Sequence, residues 1–217
     1  MARQKEVRIT APDMQVAEFL IEGNAPYVQH RFGAKTTAQM HDTQEKGSTT
    51  KKGKAREKKD FQACYIAATH RLPDGRHGIP ASGFRAALIS ACRLVGFAMT
   101  RAKLSLFVLA DGYDEEDRTP LFVFTKGKPH YFEAAVRNAD LSVDLRARPM
   151  WDAGWQALLR VRFDAGQFTL DDVAALVMRV GEQVGLGEGR PDSKKSAGCG
   201  WGTFTIISEE QKAEVAA

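Results

Sequence analysis

A chain of 217 residues with 43% hydrophobic and 27% charged side chains can bury one substantial core, which excludes disorder throughout. The formal net charge of +4 leans toward a polyanionic partner, while three cysteines, Cys64, Cys92 and Cys199, without C-x-x-C spacing argue against a disulfide framework or a four-cysteine zinc site and for a reducing cytoplasm. No apolar run approaches the ~18 residues needed to cross a bilayer, and MARQKEVRIT lacks the apolar centre of a signal peptide, so the expected location is cytoplasmic, with no membrane partner.

Gln15 to Glu22 alternates Ala17, Phe19 and Ile21 against Val16, Glu18, Leu20 and Glu22 and stops at Gly23-Asn24-Ala25-Pro26, which predicts a first strand. Tyr27 to Phe32 either extends it or begins a loop. The composition then changes. Between Lys35 and Lys59 stand Lys35, Lys46, Lys51, Lys52, Lys54, Arg56, Lys58 and Lys59 against Asp42, Glu45 and Glu57, a local excess of five positive charges on a segment almost without apolar side chains. Residues 34–60 are therefore expected to be a flexible basic insertion, either merely solvated or ordering on a nucleic-acid backbone.

Asp60 to Arg71 is compatible with a short helix or a strand. After a turn at Leu72 to Gly78, Pro80 opens a helix whose face is Phe84, Ala87, Leu88, Ala91, Cys92 and Val95 and which Gly96 ends. Leu104 to Ala110 reads as a strand. The acidic turn Asp111 to Asp117 lacks the spacing of a calcium loop and is expected to be solvated. Leu121 to Thr125 is a strand, and Tyr131 to Asn138 with Leu141 to Arg148 a further strand pair.

Trp155 to Asp164 sends Trp155, Ala157, Leu159, Val161 and Phe163 one way and Arg160 and Arg162 the other. With Arg146 and Arg148 a strand away, a basic sheet face is expected. Thr169 caps a second helix with Asp171 and Asp172 in its first turn and a stripe of Val173, Leu176, Val177, Val180 and Val184. Thr203 to Ser208 is the last strand, and 209–217 a frayed tail.

Between that helix and that strand runs VGLGEGRPDSKKSAGCGWGTF, where Gly185, Gly187, Gly189, Gly198, Gly200 and Gly202 alternate with Arg190, Lys194 and Lys195. Such a stretch suits close backbone approach to an anion, or simply a flexible connection. It opens no helix with G-K-[ST], which argues against a nucleotide-triphosphate loop.

Without its insertions the order is β-α-β-β-α-β, which predicts an α+β chain of ferredoxin-like or RRM-like plan: an antiparallel sheet with both helices on one face. Gly78-Ile79-Pro80-Ala81-Ser82-Gly83-Phe84-Arg85-Ala86-Ala87-Leu88 resembles the helix start of the RAMP superfamily, and the glycine-rich stretch is similar to the loop before its last strand. These are the Cas7-like backbone subunits of CRISPR effector complexes. GNAPYVQHRF followed by lysines resembles a group of phage-encoded proteins.

The resemblance implies a single RAMP-like domain over 1–217 that binds single-stranded RNA or DNA without catalysis or cofactor and assembles as a homo-oligomer or helical filament. On that reading, nucleic-acid contacts are expected from the basic insertion (Lys46, Lys51, Lys52, Lys54, Arg56, Lys58, Lys59), the helix start (Ser82, Arg85), the strand face (Arg160, Arg162) and the glycine-rich stretch (Gly187, Gly189, Arg190, Lys194, Lys195), with Trp201, Phe204, Tyr27 or Phe32 as aromatic side chains for stacking. The alternatives are a RAMP-type endoribonuclease, with His41 and Asp42 as the neighbouring pair to test among His30, His41, His70, His77 and His130, and a viral assembly protein without nucleic acid. No metal site is expected.

Overall fold

The computed structural model describes residues 11–31, 60–137, 143–193 and 199–207. The chain is a mixed α+β structure in which every strand pairing is antiparallel among the described residues. It begins with β1 (Met14–Gly23) and the short β2 (Tyr27–Val28), followed by α1 (Phe61–Ala67), β3 (Gly78–Pro80) and α2 (Ala81–Leu94). Then come α3 (Met99–Ser105), β4 (Leu106–Val108), β5 (Gly112–Tyr113), β6 (Pro120–Lys126), β7 (His130–Arg137) and β8 (Val143–Trp151). The chain closes with β9 (Gln156–Asp164), α4 (Leu170–Arg179), a π turn at Val180–Val184 and β10 (Phe204–Ile206).

The larger sheet runs β10-β1-β9-β6-β3, with β4 also on β9 and β5 on β6. One edge of β9 is divided: β4 takes Val161 to Phe163, and β6 takes Gln156 and Ala157. The inward side chains of β9 and of β1 are buried as their alternation predicts, and Phe84 and Leu88 of α2 and Val173 and Val177 of α4 close over the same face. Both helices therefore share one core. The Thr169 hydroxyl and the Asp172 carboxylate exchange hydrogen bonds with each other's backbone, a capping box that fixes where α4 starts.

A second sheet, β2-β8-β7, stands beside the first. Tyr27, Phe124, Trp151 and Trp155 join the two, with Phe124 stacked on Trp151 at 4.6 Å. No helix among the described residues is long and apolar enough to cross a membrane.

Four expectations change. The strand predicted from Leu104 is a helix end, since α3 runs to Ser105, Leu104 is exposed and only Leu106–Val108 pairs with β9. An apolar run of this length does not distinguish helix from strand by period alone. Val95 is exposed because α2 ends at Leu94 and Gly96 turns the chain away at φ 70°. Asp114, in the turn expected to be solvated, is fully buried. Arg146 and Arg148 lie in the smaller sheet, not one strand from Arg160 and Arg162. The segment left open, Asp60 to Arg71, starts as α1, capped by the Asp60 carboxylate accepting from the Ala63 amide at 2.9 Å.

Candidate nucleic-acid interface

The β7–β8 hairpin has two faces of different character. Cross-strand pairs Phe132 with Arg148 and Ala134 with Arg146 share one face, while Tyr131 with Pro149 and Glu133 with Ala147 share the other. Helix α1 packs on the second face, with Tyr65 and Tyr131 rings 5.7 Å apart. The first face meets the glycine-rich stretch: Phe132 stands edge-on to Trp201 at 5.6 Å, and the Arg148 Nε donates to Glu188 Oε2 at 2.8 Å. Arg146 Nη1 lies 3.7 Å from Glu188 Oε1, and His30 Nδ1 lies 3.9 Å from Oε2.

His30, Arg146, Arg148 and Glu188 thus form one partly open charged cluster, with Trp201 half-buried beside it. Burial and then the Arg148 charge push the His30 imidazole down to about 4, with Arg146 adding to the shift and Glu188 opposing it. At pH 7 the ring is neutral, and the cluster holds two positive charges and one negative. The unfolded chain takes up this proton near the ordinary value of 6.5, so this group's contribution to stability falls as pH drops from 6.5 toward 4. The C2 proton of His30 is expected to titrate with a midpoint of about 4 by NMR, moving upward in Arg146→Ala. A wild-type midpoint at 6.5 would contradict the packing described.

The described residues of the glycine-rich stretch are bonded chiefly to their own fold. Gly185, Leu186, Glu188, Asp192, Cys199 and Gly202 all donate their amides to protein carbonyls, those of Glu188 and Gly202 to Val28 at 2.9 Å and Pro26 at 2.7 Å. Arg190 donates to the Gly187 carbonyl at 3.0 Å, and Asp192 accepts from Ser90 and Arg93 of α2. That contact sits two to three turns along α2 from Ser82, which is exposed in the first turn. The stretch is therefore a weld between the two sheets, and the side chains around it, more than its amides, present charge.

The other expected contacts lie elsewhere. Arg85 donates to the carbonyls of Leu106 and Lys103, closing the C-terminus of α3, and its guanidinium sits 5.0 Å from the Phe107 ring. Arg162 approaches the same ring at 5.1 Å, and Arg160 pairs with Asp111. From Trp155, whose ring meets Phe204 at the end of the glycine-rich stretch, to Arg162 is seven residue steps, about 23 Å of extended chain. Glu18 and Val16 stand opposite Arg160 and Arg162 in register, so this sheet face carries both signs of charge.

Lys46, Lys51, Lys52, Lys54, Arg56, Lys58, Lys59, Lys194 and Lys195 lie outside the described residues, as do His41, Asp42 and Phe32. Tyr27 and Phe204 are core aromatics and are not presented for stacking.

A third cluster joins His70, Asp114 and Asp117 within 4.8 Å. Asp114 Oδ1 accepts from Arg31 and from the amides of Glu116 and Asp117, and Oδ2 meets His70 Nδ1 at 2.9 Å and the Arg71 amide at 3.1 Å. Five donors fill the lone pairs of one carboxylate, and the Arg31 charge stands where a cation would. This donor set serves the fold and does not suit a metal.

Sequence reasoning missed His30 and Glu188 as partners of Arg146 and Arg148. The i, i+2 spacing of the two arginines in Leu145-Arg146-Ala147-Arg148 did signal a shared strand face. No protein-family model matches this chain, and no curated protein is similar to it.

Proposed function

We propose that this protein binds single-stranded nucleic acid, RNA or DNA, through its phosphodiester backbone, with Arg146 and Arg148 as the principal charged contacts and Trp201 as a base platform. The observation that carries the reading is the placement of both arginines on one hairpin face beside a partly exposed tryptophan. Cationic side chains next to an aromatic surface are what a sequence-tolerant single-strand site requires. The lysine-rich segment between Lys35 and Lys59 adds local positive charge along the same chain. We read the frame as ferredoxin-like. The neighbour order β10-β1-β9-β4, with α2 before β4 and α4 before β10, supports this, as does the placement of both helices on one core. A RAMP-like, Cas7-like role, side-by-side assembly along the strand and a phage setting belong to the same proposal.

Binding measured by anisotropy of a labelled 20-mer against salt is the test. Arg146→Ala is expected to flatten the slope of log affinity against log salt by about 0.7, the value for one lost phosphate contact on a single strand. Wild-type affinity that hardly changes with salt would overturn the proposal.

A ribonuclease reading draws on one observation: His30 shares a cluster with two arginines that would hold a phosphate, which places an imidazole where a 2′-hydroxyl would lie, although burial and the Arg148 charge leave it a weak proton acceptor at pH 7. Labelled RNA recovered intact supports binding alone. Cleavage that is absent in His30→Ala favours the enzyme.

A further inference from the structure

We infer that the Glu188 carboxylate occupies the position of a ligand phosphodiester, so that nucleic acid enters the cluster by exchanging one of its phosphates for this side chain. The inference rests on the proposed binding site and specifies how that site is closed when empty. Arg148 is mostly buried, and its Nε is directed at Glu188 Oε2 at 2.8 Å, while Arg146 approaches Oε1 at 3.7 Å and His30 approaches Oε2 at 3.9 Å. Three groups that suit an anion therefore converge on one carboxylate. Glu188 keeps about a quarter of its side chain open to solvent, so an incoming anion can reach the same spot.

The charges match. With His30 neutral, the cluster holds two cations and one carboxylate, and a phosphodiester carries the same single negative charge as the group it replaces. The exchange leaves the balance of a partly buried site unchanged, which avoids stranding a guanidinium. Releasing Glu188 also requires no backbone motion. Its amide is tied to Val28 at 2.9 Å, and Gly187 and Gly189 on either side are held in left-handed conformations against Val28 and Trp201. The backbone is pinned while the side chain turns about its own torsions. Glu188 therefore acts as an internal competitor, lowering affinity for nucleic acid and keeping other anions out.

Glu188→Gln tests this, because the amide oxygen still accepts from Arg148 while the charge is gone. Glu133→Gln is the control: it removes the same charge from the opposite face of the same hairpin. With a labelled 20-mer of oligo(dT) or oligo(U) at low salt, Glu188→Gln is expected to bind about tenfold tighter than wild type. Glu133→Gln is expected to change affinity less than about twofold. Thermal unfolding of both variants checks that the fold is retained. Equal effects of the two substitutions, or weaker binding by Glu188→Gln, would overturn the exchange while wild-type binding leaves the proposed function standing. Wild type that fails to bind while Glu188→Gln binds supports the exchange. Binding by neither removes both readings.

Discussion

Asp114→Ala is expected to cost about 4 kcal/mol of unfolding free energy, enough to remove a large part of the stability of an ordinary domain. The side chain of Arg31 is only 3% exposed and is held by Asp114 Oδ1 at 3.0 Å, by Glu116 at 2.9 Å and by the Ala67 carbonyl at 2.9 Å. Removing the carboxylate leaves a buried guanidinium whose remaining counter-charges are the half-exposed Glu116 and the exposed Asp117. It also strands His70 and three backbone amides that pointed at the same two oxygens. The network ties the end of the β2 segment, the end of α1 and the β5–β6 turn to one another, so its loss loosens the base of the smaller sheet that carries Arg146 and Arg148.

Asp117→Ala is the comparison. Asp117 is exposed and accepts only the Thr119 amide at 2.9 Å among the bonds described, so its loss is expected to cost about 1 kcal/mol. Urea unfolding of the two variants decides the matter: equal costs would mean that the buried network contributes nothing special. Burial by itself would raise the Asp114 pKa, but the amides of Glu116, Asp117 and Arg71 and the His70 contact outweigh it and hold the group below its ordinary value. A carboxylate depressed on folding stabilises above its unfolded pKa and loses that stabilisation as pH falls through the folded value. The alanine variant should accordingly show a flatter loss of stability below pH ~4 than wild type.

The contrast between Asp114 and Phe163 explains which parts of this fold were legible in the sequence. Phe163 belongs to an alternation that can be read within nine residues, and its burial followed directly; the same holds for the stripe Val173, Leu176, Val177, Val180 and Val184. Asp114 is buried because Arg31 and His70 arrive from positions 83 and 44 residues away, and no local pattern records such an approach. Arg146 and Arg148 were visible as a charged strand face. Their true neighbour, Glu188, was hidden inside a stretch whose glycines drew attention to the backbone. The sheet that β8 joins is hidden for a related reason: an antiparallel hairpin is a local signal, but its sheet is set by Tyr27 and Val28 pairing with Trp151 and Met150, which are far apart in the chain.

Gly202→Ala is expected to cost about 3 kcal/mol, combining left-handed strain with overpacking. At this position φ is 68°, and an added Cβ would stand 1.9 Å from the Leu186 carbonyl oxygen, a contact that backbone must move to relieve. Motion is opposed on both sides, since Leu186 donates its amide to the Gly202 carbonyl at 3.0 Å and Gly202 donates to Pro26 at 2.7 Å. The substitution therefore pushes apart the two arms of the glycine-rich stretch and the turn after β1, and with them the seat of Trp201 and the anchor of Glu188. Gly200→Ala separates strain from crowding: its φ is 72°, but nothing lies within 4 Å of an added Cβ, so it is expected to cost only about 1 kcal/mol. Chemical unfolding gives the two costs, and oligonucleotide binding by the folded fraction of each gives the consequence for the site. If the stretch were a loose connection, both alanines would be tolerated alike. If it is the weld described, Gly202→Ala alone will weaken binding, because Arg146 and Arg148 stay on their hairpin while the aromatic platform beside them shifts.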